Sequence, residues 1–423
     1  MAEKKLFIED KMLKMFAGKV GTPFHLYDER GIEENAKNFL DAFSWSEGFV
    51  NYFAVKALPN VNIVRLLSSL GFGADCSSLP ELKTALKAGL PPEKIMYTSN
   101  DTPDEEFREV LETGAILNLD DMTHIEDILR LNDGKFPEVI SFRYNPGPGR
   151  TGNVIIGNPV EAKYGVTYEQ LFDCYRIAKE KGARKFMLHT MVASNELEED
   201  YIVETARMLF SLVGEIREQC GVRISQVDLG GGIGIPYRPE EDGIDFFHLS
   251  SRIKELYVKM IEEKGLPPLR ISFECGRAIT GPYGILVSKV RHVARKYKTF
   301  VGLDASMADL MRPALYGAYH HISILGKEDM ECSEVYDVTG SLCENNDKFA
   351  IDRRLPPVEK GDIVVIFDTG AHGHSMGFNY NAKLRSAEYL YKGEGSFVKI
   401  RRKETYEDYI ATELDVPEEV AIL

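Results

Sequence analysis

The chain has 423 residues, 44% of them hydrophobic and 28% charged, a balance that suits a folded protein of two domains with a sizeable core. Its 51 lysines and arginines face 66 aspartates and glutamates, for a formal charge of −15; this argues against a nucleic-acid binder or a protein docking on anionic membrane, and leaves room for a local anion pocket. The first residues lack the apolar core of a secretory signal, and no apolar run reaches membrane-spanning length.

Residues 21–27 read as a turn and a strand. An alternation then begins, with eight short β-like runs at 50–56, 71–75, 94–99, 115–119, 139–144, 185–190, 225–229 and 270–274. Helical patterns lie between most of them, at 80–89, 103–114, 168–182, 199–221 and 246–265, and each ends on glycine, the usual helix stop. Residues 145–166 hold five glycines and read as a long loop, to which the sequence assigns no role. Eight strand–helix alternations predict a closed (β/α)8 barrel, with an open doubly wound sheet as the alternative. Past residue 283 the pattern changes to β-like runs at 285–293, 334–339, 362–367 and 396–401, with a short helical turn around 305–311. The chain therefore divides into a barrel over 30–282 and an antiparallel β domain made of 1–29 and 283–423.

In a barrel, the C-terminal ends of the strands face one mouth, where active sites are built. Here they reach Lys56, Asp75, Asn100, Asp120, Arg143, His189, Asp228 and Glu274. An ammonium at the end of the apolar run 49–55 costs free energy unless it is paired, depressed in pKa or covalently used. After the seventh run, Gly230-Gly231-Gly232-Ile233-Gly234 lets backbone N–H groups wrap an anion. It fails the dinucleotide spacing, because Ile235 stands where a third glycine is needed. A carboxylate such as Glu274 beside a Schiff-base lysine can keep the pyridine nitrogen of pyridoxal phosphate protonated, and His189 can pack on the ring. Taken singly, each has a plainer explanation: a solvated lysine, a tight turn, a salt bridge, a structural histidine.

Together these runs resemble the fold-type III pyridoxal-phosphate decarboxylases, which share the alanine racemase-like fold, and most closely the diaminopimelate decarboxylases. The resemblance rests on residues 52–57 (YFAVKA), 230–232 (GGG), 274–277 (ECGR), 312–316 (RPALY), 340–344 (GSLCE) and 379–381 (NYN). It implies that Lys56 binds pyridoxal 5'-phosphate covalently, Glu274 pairs with its ring nitrogen and His189 stacks on the ring. Gly231, Gly232 and the Gly276–Arg277 backbone would hold the phosphate, with Tyr380 nearby. Cys343 and Glu344 would come from a second subunit of a homodimer, Cys343 as proton donor. Arg277, Arg312, Tyr316, Glu344 and Tyr380 would bind the substrate.

Diaminopimelate carries an amino-acid group at both ends, so its unreacting end needs a carboxylate partner and an ammonium partner. Arginine and glutamate are suited to these tasks. The implied reaction is decarboxylation of meso-2,6-diaminopimelate at its D-centre, giving L-lysine and carbon dioxide. The alternative is a sister decarboxylase acting on D-lysine, D-ornithine or a related polyamine precursor. Two further readings, a racemase and a catalytically dead binding protein, fit the Cys343-Glu344 run and the retained Lys56 less well.

The chain departs from the family's pattern in places. The serine that helps bind phosphate in a His-x-Gly-Ser run is replaced by Ser194 on a longer turn, or by Thr190. Cys275 stands where the family has proline, and Tyr380 opens Tyr-Asn-Ala-Lys-Leu-Arg. The six cysteines are scattered without C-x-x-C spacing, so neither metal nor disulfides are expected, and a cytoplasmic setting fits. His372 and His374 receive no role.

Overall fold

The computed structural model describes residues 4–151, 157–418 and 420. Two compact units emerge, one containing Arg30–Pro282 and the other Lys4–Glu29 with Tyr283–Leu423.

In the first unit, eight parallel strands close into a barrel: Val50–Ala54, Gly73–Cys76, Ile95–Tyr97, Ile116–Leu119, Val139–Arg143, Lys185–His189, Ile224–Asp228 and Arg270–Phe273. Closure runs through Val50 opposite Ser272 and Asn51 opposite Phe273. Beyond that pair the Asn51 side chain extends the ladder. Its amide donates to the Cys275 carbonyl at 3.0 Å and accepts the Cys275 N–H at 2.9 Å. This clamp fixes the backbone that carries Glu274.

The helices start and stop for local reasons. Thr167 and Gln170 form a reciprocal capping box ahead of Tyr168–Glu180, and the Asp245 carboxylate caps Phe246–Tyr257. Gly89, Gly114 and Gly221 end their helices in the left-handed conformation. The structure adds helices that the sequence reading lacked, among them Glu29–Ala42, Val61–Ser69 and His124–Leu131. The first strand is also shorter than the apolar run suggests. It ends at Ala54, and Lys56 sits in a 3-10 turn, Val55–Ala57. Part of the long 145–166 segment (residues 152–156) lies outside the described residues.

In the second unit, nine strands among the described residues form one sheet. Most pairings are antiparallel, but the sheet is mixed. Phe24–Asp28 runs antiparallel to Gly284–Arg295 and parallel to Ala387–Gly393, and Thr299–Leu303 is parallel to Glu334–Thr339. An N-terminal strand inserted between two later ones takes its direction from the chain path, which local pattern does not encode. The N-terminal segment forms a helix, Asp10–Val20, whose Phe16 stacks on Phe397 at 3.9 Å and meets Phe24 edge-on at 5.4 Å. A short hydrogen-bonded turn stands at 306–310, as expected, with the Asp309 and Leu310 N–H groups donating to the Ser306 carbonyl, and a further helix follows at Arg312–Tyr316 with proline at its start.

Candidate active site

The strand ends gather a polar cluster at the barrel mouth. Lys56 is half open, with 51% of its side chain exposed, and its Nζ lies 3.7 Å from Asp75 Oδ2. Partial desolvation works to lower its pKa, but Asp75 and Glu274 outweigh that and hold the ammonium above its ordinary value. Burial pushes the Asp75 carboxyl up to about 7, against the attraction of Lys56. Glu274 is likewise raised by burial, and Lys56 and Arg143 oppose the shift.

His189 stands between two partners. Its Nε2 is 3.0 Å from Glu274 Oε2 and its Nδ1 2.9 Å from Asn118 Nδ2. Burial drives its pKa down to about 4, so the ring is neutral. Arg143 is buried, pairs with Asp120 at 3.3 Å and lies over the Tyr164 ring at 4.4 Å. His189, Asp228 and Glu274 bring ligand-type atoms within 4.8 Å of one another. His189 and Glu274 are hydrogen-bonded to each other, and Asp228 accepts from the Ser272 hydroxyl and the Gly230 N–H.

The glycine run forms a cradle. A side chain at Gly231 would meet the Glu274 carbonyl at 2.7 Å, and one at Gly232, where φ is +93°, would meet the Ala193 carbonyl at 2.4 Å. A Cβ at Gly276 would lie 2.7 Å from that of Ala57. The Gly231 N–H donates to the Met191 sulfur at 3.1 Å, a weak acceptor that an anion would displace. The two phosphate candidates also separate. The Thr190 hydroxyl is wholly buried and donates to the Tyr144 carbonyl at 2.8 Å, whereas Ser194 is part-exposed and directly follows the segment packed on Gly232. Arg277 is buried and donates to the Tyr237 hydroxyl at 2.5 Å.

These residues fit pyridoxal phosphate. Glu274 Oε1 and Asp75 Oδ1 are buried without a hydrogen-bond partner among the described residues, a costly state that a protonated ring nitrogen at Glu274 would relieve. The lysine, the unmet carboxylate and the glycine cradle all belong to one barrel.

Comparison with known proteins gives the same reading. Residues 29–281 match the family model of the pyridoxal-dependent decarboxylase pyridoxal-binding domain. The chain belongs to this family. It is therefore a pyridoxal-phosphate enzyme that decarboxylates a small amino-acid substrate. The chain is 41% identical over 388 residues to protein TabA of Pseudomonas amygdali pv. tabaci, covering 92% of this chain and 90% of that one. It is 36% identical over 399 residues to the diaminopimelate decarboxylase of Methanothermobacter thermautotrophicus, covering 93% and 92%. Among solved structures, the diaminopimelate decarboxylase of M. jannaschii in complex with L-lysine superposes with a TM-score of 0.88. It has 32% identity and covers 95% of this chain and 94% of that one.

The other sequence-derived residues of this decarboxylase lie in the β unit. Arg312 is buried, and its Nη1 is 2.9 Å from His320 Nε2, while His320 Nδ1 is 2.8 Å from the Phe367 carbonyl. Tyr316 and Tyr380 are exposed, as is Cys343, and Glu344 is part-exposed. The Cys343 N–H donates to Asn381 Oδ1 at 2.6 Å, which ties the Cys343 loop to the Tyr380 loop. Asp347 ties the Cys343 loop to residue 307 by accepting the Leu342 and Met307 N–H groups at 2.8 and 2.7 Å. Among the described residues, no helix is long and apolar enough to cross a membrane.

Asn118, His320 and Asp347 escaped the sequence reading. For Asn118 a signal existed: polar residues alternate with apolar ones at 118 and 120 in the run Ile116-Leu117-Asn118-Leu119-Asp120, which places both on one side of the strand.

Proposed function

We propose that the enzyme decarboxylates meso-2,6-diaminopimelate at its D-centre, releasing L-lysine and carbon dioxide. The observation that carries this reading is the presence of two buried arginines, Arg277 and Arg312, within motifs of a chain 36% identical to a diaminopimelate decarboxylase over nearly its whole length. The lysine bound to the M. jannaschii relative is the product this reading requires. A guanidinium matches the distal carboxylate bidentately, and the Glu344 carboxylate suits the distal ammonium. A diamine precursor with no distal carboxylate would meet cationic repulsion at these arginines.

Bound pyridoxal phosphate supplies the electron sink that makes loss of the carboxylate feasible. Lys56 would hold it covalently. Glu274 would keep the ring nitrogen protonated, and His189 would pack on the ring. The Gly231, Gly232 and Gly276–Arg277 backbone, with Ser194, binds the phosphate. Cys343 delivers a proton to the carbon that has lost carbon dioxide. We further propose that Cys343, Glu344 and the Tyr380 loop act in the site of a second copy of the chain, in a homodimer; the exposure of Cys343, Leu315, Tyr316, Tyr380 and Leu384 supports this.

The test is carbon dioxide release from meso-diaminopimelate by the cofactor-loaded protein. Release in step with L-lysine supports the reading. Turnover of D-lysine or D-ornithine without turnover of diaminopimelate overturns it.

A further inference from the structure

The hydrogen bonds on either side of His189 have a direction. Glu274, when ionised, can only accept, so His189 Nε2 must carry the hydrogen of their 3.0 Å contact. In a neutral ring the other nitrogen, Nδ1, is then a bare acceptor and needs a donor. Asn118 supplies one. Its amide nitrogen lies 2.9 Å from Nδ1 and also donates to the Thr98 hydroxyl at 3.0 Å. Thr98, Asn118, His189 and Glu274 are all buried, at no more than 8% exposure, so water does not compete for these bonds. Residues in or just past three barrel strands thus form one polarised chain, running from Asn118 through His189 to Glu274, whose other oxygen is left without a partner among the described residues.

We propose that Asn118 is a positioning residue that fixes the tautomer of His189 and, through it, presents an ionised Glu274 to the ring nitrogen of the cofactor. This rests on the reading that Glu274 pairs with that nitrogen. The neighbouring charges of Asp75, Asp120, Asp228 and Arg143 are common to either tautomer; the Glu274 carboxylate and the Asn118 amide both select the Nε2–H form, one from each side of the ring.

Isosteric exchange separates this role from packing. In Asn118→Asp the carboxylate can only accept, so it draws the hydrogen to Nδ1 and turns the bare Nε2 lone pair toward Glu274. In Asn118→Ala the Glu274 contact alone holds the hydrogen on Nε2, without support from the other side of the ring. Pyridoxal phosphate affinity, measured by equilibrium dialysis of the full-length protein, should fall more than tenfold in Asn118→Asp and only a few-fold in Asn118→Ala. The pH midpoint of the bound-cofactor absorbance should move most in the aspartate variant. A packing residue would give the reverse order, with the isosteric aspartate milder than alanine, and that order overturns the inference.

Because a buried aspartate can compromise folding, a second measurement uses the wild-type holoenzyme. The histidine nitrogen NMR spectrum, with His189 assigned through His189→Gln, should show Nε2 protonated and Nδ1 bare; the opposite tautomer overturns the inference. Glu274→Gln serves as the control for the underlying reading. Unchanged cofactor affinity and absorbance there would remove the role of Glu274 itself, whereas an impaired Glu274→Gln beside a normal Asn118→Asp would remove only that of Asn118.

Discussion

Lys56 and Asp75 meet at 3.7 Å across the ends of the first two barrel strands, where Ala54 pairs with Asp75 in the ladder. The carboxylate raises the lysine pKa, and the ammonium restrains the upward push of burial on Asp75. Replacing Asp75 by Asn should therefore lower the Lys56 pKa. The pH dependence of cofactor uptake by the apoenzyme reads this directly, and its midpoint should shift to lower pH. An unmoved midpoint would show that Asp75 does not govern the lysine.

Lys56→Ala removes the amine itself. Turnover should fall by at least about a thousandfold, as expected when a covalent participant is lost. Borohydride should no longer fix the cofactor to the protein, which mass spectrometry detects. Substantial residual turnover would refute the assignment.

Gly232 has φ +93°, and a methyl there would collide with the Ala193 carbonyl. Gly232→Ala combines backbone strain of about 1–3 kcal/mol with that clash, so the turn that carries Ser194 must move. Cofactor dissociation should rise at least about tenfold, given 1.4 kcal/mol per decade. Unchanged affinity in equilibrium dialysis would show that the turn makes no contact with the phosphate.

Asn381 holds the Cys343 backbone by a 2.6 Å bond from a left-handed conformation. Cys343→Ala should slow product formation by roughly 10²–10⁴-fold, the range for a lost general acid, with cofactor content unchanged. Asn381→Ala should show a weaker form of the same defect, in kcat rather than KM. Loss of cofactor or of oligomeric state in Cys343→Ala would instead mark the cysteine as structural.

The β unit carries its own pH dependence. Burial drives His374 down to about 4, and its nitrogens are committed, Nε2 to the Ser386 carbonyl and Nδ1 to Arg385. The fold thus keeps neutral a histidine that takes up a proton once unfolded, so its contribution is present above pH 6.5 and is lost as pH falls toward 4. Burial alone would raise Glu388, but His374, Arg401 and the Tyr27 hydroxyl hold it at about 2, so its contribution fades between pH 4.5 and 2. Between pH 7 and 5 the wild type should lose about 1–2 kcal/mol more than His374→Gln in chemical denaturation. Equal losses would remove His374 as a source of acid sensitivity.

The barrel was legible because its signals are local. Strands of three to five mostly buried residues, glycine helix stops and polar residues at the strand ends are written in consecutive positions, and eight repeats reinforce one another. Helices such as Val61–Ser69 and His124–Leu131 were not read, being only nine and eight residues long. Lys56 was assigned to a strand because its neighbours are apolar; the bend at Val55 that lifts it into the mouth leaves no mark of its own.

By itself the sequence determined the barrel, the lysine, the glycine cradle and the carboxylate at 274, since each depends on residue type within a short window. Only the tertiary structure decided the partners of these groups. Asn118 and His189 are 71 positions apart and His189 and Glu274 85, yet barrel closure makes them hydrogen-bonded neighbours. The same holds for the parallel pairing of the N-terminal strand and for the tie between Asn381 and Cys343. Hydrogen bonds depend on distance and direction in space, and sequence separation carries neither.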